Sequence, residues 1–422
     1  MLKKIMKTNH GFANISGSLF LILSLLFTLN NTNAQWNQTG LDGFFIRTLN
    51  VSGANLFAGT SGDGIHRSSD NGASWIPVNS GLTNLYVFAF TVSGTNLYAG
   101  TEGGGVFLST NNGDSWNTTG TLSNRYVYAL SSSGTDIYAG TDGDGVFRST
   151  NYGVSWISAS SGITNLRILS LTFSGTTLFA GTFGTGGIYR STNNGVNWSS
   201  ASNGITNFDI LSIAVSGSNM FAGSGGGVFI STNNGSDWSS VSSGLTDTYI
   251  HTLAVSGLNI FAGTDNDGVF RSTNNGSNWI AINEGLTNTT VWVLTISGTN
   301  IFAGSNGSGV YKRPLSELVD VRKLSGELPA QFKLNQNYPN PFNPVTNLEF
   351  EIPAAIPGED HGFVSLKVYN IVGKEIATLV NGNLNSGIYK YKFDGSNLSG
   401  GVYFYTLKVN GFSETKRMIL LK

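Results

Sequence analysis

Ser109-Thr110-Asn111-Asn112-Gly113-Asp114-Ser115-Trp116 is the stretch that decides how this chain folds. Its first five residues recur as STNNG at Ser191–Gly195, Ser231–Gly235 and Ser272–Gly276, with SSDNG at Ser68–Gly72 and STNYG at Ser149–Gly153. Three residues after each glycine stands a tryptophan: Trp75, Trp116, Trp156, Trp198, Trp238 and Trp279. The successive spacings are 41, 40, 42, 40 and 41 residues, a period that marks a repeat architecture. A second marker, an apolar residue followed by Ala-Gly, places Gly59, Gly100, Gly140, Gly181, Gly223, Gly263 and Gly304, seven copies against six. The odd copy is split. Gln35-Trp36-Asn37-Gln38-Thr39-Gly40-Leu41 reads like the segment Trp75–Leu82 that follows a repeat tryptophan, and Gly309-Val310-Tyr311-Lys312 ends a copy with no tryptophan segment.

Each repeat reads as four short strands. In the second copy these are Val87–Ser93, Asn96–Thr101, Val106–Ser109 and Trp116–Thr119, with a glycine turn at Glu102–Gly105. Short strands with frequent turn signals argue an all-β fold. Four strands per repeat of about 40 residues is the pattern of a propeller blade. Joining Trp36 to the copy that begins at Val291 removes the open edge of such an array. The expectation is a seven-bladed β-propeller with split-blade closure over residues 35–313.

The S-T-N-N-G-x-x-W strings resemble the Asp-box of sialidase-type (BNR) propellers, S/T-x-D-x-G-x-x-W. Asp70 keeps the aspartate, while Asn111, Asn151, Asn193, Asn233 and Asn274 replace it. Asparagine can close the same turn through its side-chain carbonyl. The resemblance implies that these turns, Asp70 and the six tryptophans included, are structural and lie away from the functional face. It does not single out a function, because sialidases, xyloglucanases, sortilin-type receptors and photosystem-assembly propellers share the motif.

The two ends differ from this array. Lys3, Lys4 and Lys7 precede an apolar run at Ser18–Leu29, and Thr32-Asn33-Ala34 supplies small residues before a cut. This is the layout of a secretory signal peptide over residues 1–34, cleaved between Ala34 and Gln35. The run is too short for a span, which needs roughly 20 residues, so the mature chain is expected to cross no membrane. Residues 314–334 read as a linker. Residues 335–422 hold alternating strands at Thr346–Ile352, Val364–Tyr369, Glu375–Leu379, Ile388–Phe393, Val402–Val409 and Glu414–Leu421, separated by turn signals such as Asn381-Gly382 and Asp394-Gly395. They suggest a small Ig-like β-sandwich. Asn337-Tyr338-Pro339-Asn340-Pro341-Phe342-Asn343-Pro344, Lys367–Gly373, Gly400–Phe404 and Thr415–Lys422 together resemble the C-terminal sorting domain of the type IX secretion system. That resemblance implies the type IX machinery as partner, and release from the cell or attachment to its surface.

Composition limits the chemistry. Glycine makes up 56 of 422 residues, cysteine is absent, charged residues are 11% and the net charge is -1. Without cysteine there is no disulfide framework. A chain without a basic excess is not a bulk-charge nucleic-acid binder, so no nucleic-acid partner is expected. Residues 35–313 carry 14 Asp+Glu and 9 Lys+Arg, which disfavours anionic partners. No zinc spacing, nucleophile triad or phosphate loop stands out. His66 occupies a column otherwise filled by Phe107, Phe147, Tyr189, Phe229, Phe270 and Tyr311, so it reads as a packed strand residue. His251 has no carboxylate patterned beside it. Arg67, Arg148, Arg190 and Arg271 share one column and should ring the molecule instead of converging. Asp63, Glu102, Asp142, Asp144, Asp265 and Asp267 sit in turns between second and third strands, where Asp-Gly suits tight hairpins. No catalytic residue, metal or cofactor is expected.

Differences between copies point to a ligand face. Counting from each repeat leucine or isoleucine, the fifth residue on is always β-branched: Ile46, Val87, Val127, Ile168, Ile210, Ile250 and Val291. The third and fourth vary and include Tyr86, Arg125, Tyr126, Arg167, Phe208 and Tyr249. Aromatic and arginine side chains at the face opposite the Asp-boxes suit a sugar or peptide; blade-to-blade packing is the competing role. The chain is thus expected to be a secreted or cell-surface, non-enzymatic binding or adhesion module for a glycan or protein, with a monomeric propeller. The alternative is a secreted polysaccharide-active glycoside hydrolase of Asp-box propeller type, since glycosidases need two carboxylates at roughly 5–10 Å.

Overall fold

Repeated glycines and β-branched residues build the central part of the chain. The computed structural model describes residues 35–422 apart from 258, 316–317, 319–320, 326–328, 354–362, 385, 397 and 410. The leader reading of residues 1–34, with Ala34, lies outside the described residues, as do His10 and His361. Strands are numbered in chain order. The first complete sheet holds β2 (Ile46–Ser52), β3 (Asn55–Thr60), β4 (Ile65–Ser68) and β5 (Ile76–Pro77). Five further four-stranded sheets repeat it, starting at β6 (Val87–Ser93), β10 (Val127–Ser133), β14 (Ile168–Ser174), β18 (Ile210–Ser216) and β22 (Ile250–Ser256). A seventh joins β26 (Val291–Ser297), β27 (Asn300–Ser305) and β28 (Val310–Pro314) to β1 (Asn37–Gly40). Asn37 faces Lys312 and Gln38 faces Tyr311, so the two ends of the array complete one sheet.

The sheets form a ring because each first strand packs on the next and β26 packs back on β2. A Cβ placed on Gly59 would lie 2.8 Å from Val87 Cγ1, and one on Gly100 2.7 Å from Val127 Cγ1. The same seat recurs at Gly140 with Ile168, Gly181 with Ile210, Gly223 with Ile250 and Gly263 with Val291. At the closure, Gly304 faces Ile46 at 2.5 Å. Glycine is therefore required by close approach, and the β-branched residue fills the space it leaves. The second strands, such as Asn55–Thr60, are buried nearly throughout, so their apolar run is continuous and does not alternate. The polar group that ends one of them is satisfied: Thr60 Oγ1 donates to Gly64 O at 2.9 Å.

The STNNG turns hold the outer side. Gly113 N donates to Ser109 Oγ (2.8 Å), and Ser115 N donates to Asn111 Oδ1 (3.0 Å). Asn112 sits at φ 58°, a conformation asparagine tolerates. Asp70 makes the same turn. Hydrogen bonds from the Ser74 hydroxyl, the Ser74 amide and Ser68 hold its carboxyl down at about 2. Five of the six repeat tryptophans then reach back to the preceding sheet, as Trp116 Nε1 does to Val78 O (2.8 Å) and Trp279 Nε1 to Val241 O (2.6 Å). Trp36 does the same at the closure, from Nε1 to Ile282 O (2.7 Å) and from its amide to Glu284 O (2.7 Å). Trp75 Nε1 lacks a partner. It packs beside Gly40, where the β1–β28 register slips.

The remaining strands are β29 (Val321–Ser325), β30 (Lys333–Leu334), β31 (Val345–Ile352), β32 (Phe363–Asn370), β33 (Glu375–Asn383), β34 (Gly387–Asp394), β35 (Gly401–Val409) and β36 (Phe412–Leu420). They form two sheets, ordered β29-β34-β31-β30 and β33-β32-β35-β36. One core joins them, with Leu348 and Phe350 from one sheet and Leu366, Val368 and Leu407 from the other. Two expectations change. The stretch 314–334 is not all linker: β29 pairs with the edge of β34, and Leu318 packs in the core of the seventh sheet. Asn381-Gly382 is not a turn, because the longer β32 offers Ser365 and Val364 as ladder partners and pairing overrides local turn preference.

The closing seat makes a direct prediction. Gly304→Ala should destabilise the protein by about 1–3 kcal/mol through overpacking against Ile46 and Val293, measured by thermal or denaturant unfolding. An unchanged midpoint would refute the closure contact.

Candidate functional site

Every innermost strand begins with a β-bulge. Ile46 pairs with Thr60 and Thr48 with Gly59, which leaves Arg47 as the extra residue. The same slip occurs in the other six sheets. Bulges re-aim side chains, and here seven half-buried ones are affected: Arg47, Phe88, Tyr128, Leu169, Leu211, His251 and Trp292. Six of them, with Arg167, line one cavity of about 280 Å³. Trp292 is the seventh, and the Arg47 guanidinium lies 3.4 Å from its ring centroid and 5.0 Å from that of Phe88.

Charge at this mouth is paired across strands. Arg47 Nε donates to Ser61 Oγ (2.7 Å). Burial lowers the Arg47 pKa, opposed by the charges of Glu102 and Tyr128. The Tyr128 hydroxyl donates to Glu102 Oε1 (3.3 Å); burial first, and then the Glu102 charge, pushes that phenol up to about 12. Arg167 Nε meets Asp142 Oδ1 at 2.9 Å, and its guanidinium covers the Phe183 ring at 4.4 Å. His251 Nε2 lies 2.8 Å from Asp265 Oδ1, and its ring meets Tyr249 edge-on at 5.1 Å. The arrangement offers stacked cations, aromatic edges and carboxylates that already have partners.

The residues singled out from the sequence divide into groups. Arg167 lines the mouth, and Tyr249 stands beside His251. Tyr86 and Tyr126 are exposed on the same rim, where their backbones bridge to Ser61 and Glu102. The third-position residues go elsewhere. The Arg125 carbonyl accepts the Gly103 and Gly105 amides, and Phe208 packs by Gly187 in the groove between the fourth and fifth sheets. Arg47, Phe88, Tyr128 and Trp292 were missed. The signal was available, since the sixth residue of the count differs in nearly every copy, but nothing in the sequence announces a bulge.

His251 requires a correction: a carboxylate does stand beside it. Asp265 follows the second strand of the same sheet, directly across from the start of β22, so cross-strand pairing supplies what linear spacing hid. The arginine column stays apart. Arg67 pairs with Asp114 (2.6 Å), Arg148 with Asp136 (2.5 Å), and Arg271 Nε donates to Asn259 (2.7 Å). The turn aspartates are tied locally, as Ser123 Oγ donates to Asp144 (2.7 Å). Among the described residues, no group of three or more His, Asp or Glu side chains could hold a metal ion.

His66 is a core residue, 7% exposed and edge-on to Phe44 at 5.2 Å. Burial lowers its pKa from 6.5, against the opposing charge of Asp63. Below about pH 6.5 the unfolded chain takes up the proton first, so this group costs stability on acidification. His66→Phe should flatten the fall of Tm between pH 7 and 5. Identical slopes for the two proteins would count against the assignment.

The tail has its own anchoring. Asn337 N donates to the Tyr405 hydroxyl (2.7 Å), which in turn donates to Asn335 O (2.8 Å). Phe342 N donates to Ile419 O (2.9 Å) and Leu421 N to Phe342 O (2.8 Å). The proline-rich opening is thus pinned to the last strand. Residues 336–421 match the family model of the secretion system C-terminal sorting domain. The sorting domain directs the protein through the type IX secretion system to the cell surface or extracellular space. No helix among the described residues is long and apolar enough to cross a membrane. No curated protein matches the chain.

Solved structures are similar to the chain in fold. The extracellular domain of BT4673 from B. thetaiotaomicron is similar at TM-score 0.58 and 16% identity, over 75% of this chain and 46% of that one. This chain therefore spans about half the length of that relative. YCF48 bound to D1 peptide is similar at 0.56 and 12%, over 68% and 96%. The GH74 xyloglucanase from Xanthomonas campestris is similar at 0.55 and 15%, over 75% and 59%. At these identities the likeness concerns the fold, which is all-β and propeller-like.

Proposed function

We propose that this protein is a secreted or cell-surface binding module without enzymatic activity, built on a closed seven-bladed propeller. In this reading the STNNG turns are Asp-boxes of the sialidase (BNR) type, and residues 1–34 are a signal peptide cleaved before Gln35. Residues 335–422 are an Ig-like sorting domain, and the propeller is a monomer that needs no cofactor. The ligand is a glycan or a protein, taken at the mouth by Arg47, Trp292, Arg167, Tyr249 and the rim residues Tyr86 and Tyr126. The observation that carries the reading is the convergence of the bulge residues on one cavity, with the adjacent carboxylates engaged by Arg167, His251 and Tyr128. Aromatic and arginine side chains at the centre of a concave face are typical of binding hot spots.

The competing reading is a polysaccharide hydrolase, favoured by the acidic turns at Asp144 and Asp267 and by the likeness to a xyloglucanase fold. Glycan and peptide arrays, run beside a polysaccharide hydrolysis panel on the secreted protein, separate the two. Arg47→Ala should weaken binding at the mouth at least tenfold, while Arg67→Ala, which removes the partner of Asp114, leaves it intact. Reducing-end release that Asp144→Asn or Asp267→Asn abolishes would overturn the non-enzymatic reading. For export, deleting Pro339–Lys422 should keep the protein inside the cell envelope; undiminished appearance outside would contradict the role of the sorting domain.

A further inference from the structure

We infer that the groove between the fourth and fifth sheets is a second binding site, one that takes a neutral pyranose sugar. The groove encloses about 640 Å³, within the range of small-ligand sites. None of the residues lining it is charged, and the adjoining Arg190 and Asp237 are already bonded to Ser236 and Asn203 of the lining. One wall is the ring of Phe208, 39% exposed. The rest offers hydroxyls from Thr164, Thr185, Tyr189 and Ser200 and the side-chain carbonyl of Asn203, whose Nδ2 donates to Asp237 Oδ1. Thr164 Oγ1 and the Tyr189 hydroxyl lie 2.6 Å apart, so one proton is shared and lone pairs remain for a ligand.

The repeat that forms the groove departs from its siblings in the length of one turn. The turn Phe183-Gly184-Thr185-Gly186-Gly187 is one residue longer than Asp142-Gly143-Asp144-Gly145, which accounts for the spacing of 42 between Trp156 and Trp198. Its turn carries no acid, as in the fifth and seventh repeats, whose turns are Gly225–Gly227 and Asn306–Gly309. Gly187, at φ +72°, lets the turn pack tightly under Phe208: a Cβ there would lie 2.5 Å from Ser202 Oγ and 2.8 Å from Phe208 Cδ1. Phe44 is the one other phenylalanine in the column of Phe208, and it is used up in the core against His66.

The ligand class follows from this chemistry. A charged ligand finds no charged residue in the lining, and the adjoining Arg190 and Asp237 already have partners. A wholly apolar one would strip water from the hydroxyls without replacing its hydrogen bonds. A pyranose satisfies both walls, its C–H face lying on the Phe208 ring and its hydroxyls meeting the Ser, Thr and Asn groups. The site is independent of the mouth and does not rest on its assignment.

The test is titration of the full-length secreted protein with cellobiose, maltose, lactose and diacetylchitobiose, with glucuronic acid as the charged control, read by calorimetry. At least one neutral disaccharide should bind saturably. Phe208→Ala and Thr185→Trp should each weaken it at least tenfold, and Phe208→Trp should retain it. If Phe208→Ala fails to fold, Thr185→Trp carries the test from the exposed turn. The inference fails if none of the neutral sugars binds or if only glucuronic acid does. It also fails if affinity survives Thr185→Trp and disappears in Arg47→Ala, a result that would assign the sugar to the mouth.

Discussion

The ring depends on one contact made seven times, a glycine in the second strand of each sheet receiving the β-branched residue that opens the next sheet's first strand. From Gly59 with Val87 to Gly304 with Ile46, the seat sets how closely neighbouring sheets approach. A single four-stranded sheet cannot bury both its faces, and stability in such an array comes from neighbour interfaces. Because the last seat returns to the first sheet, no interface is left over. The split sheet serves the same end: Trp36 donates to Ile282 and Glu284 as Trp116 does to Val78 and Ser80. The two ends of the array are thereby held within one sheet.

Strength and variation are divided between the two ends of each sheet. On the STNNG side, serine, asparagine and tryptophan consume their hydrogen bonds in turns and in ties to the preceding sheet, and the copies agree. At the bulge, one residue per sheet is released from the ladder and turned toward the axis, and the copies differ: Arg47, Phe88, Tyr128, Leu169, Leu211, His251, Trp292. A position free of pairing can change without cost to the sheet. The same freedom explains the groove beside Phe208, where a single inserted residue in a turn alters the surface and leaves the strands in register.

Much of this was legible in the chain. The repeat, the split copy and the strand order follow from spacing alone, since a motif recurring every 40 to 42 residues leaves little choice of architecture. The tail strands were legible from their alternation, and β31, β34 and β36 fall within about two residues of the expected ranges. The candidate site was half legible. Arg167 and Tyr249 were found because they differ between copies, but Arg125 and Phe208 differ as well and lead away from the mouth. Variation marks positions that pairing does not constrain, without saying which way they face. Arg47 and Trp292 escaped because a bulge is a change of register between two strands, visible only once both are in place.

The sequence pattern therefore determined the number of repeats, the turn chemistry and the positions of glycine, because each recurs at a fixed spacing along the chain. The tertiary structure alone decided the rest. It put Asp265 beside His251, stacked Arg47 on a tryptophan from the opposite end of the array, drew Val321–Ser325 out of an apparent linker onto the edge of β34, and kept Asn381-Gly382 in a ladder. Each of these depends on pairing or packing between segments distant in sequence, and the energy of such contacts exceeds the local preference that a sequence displays.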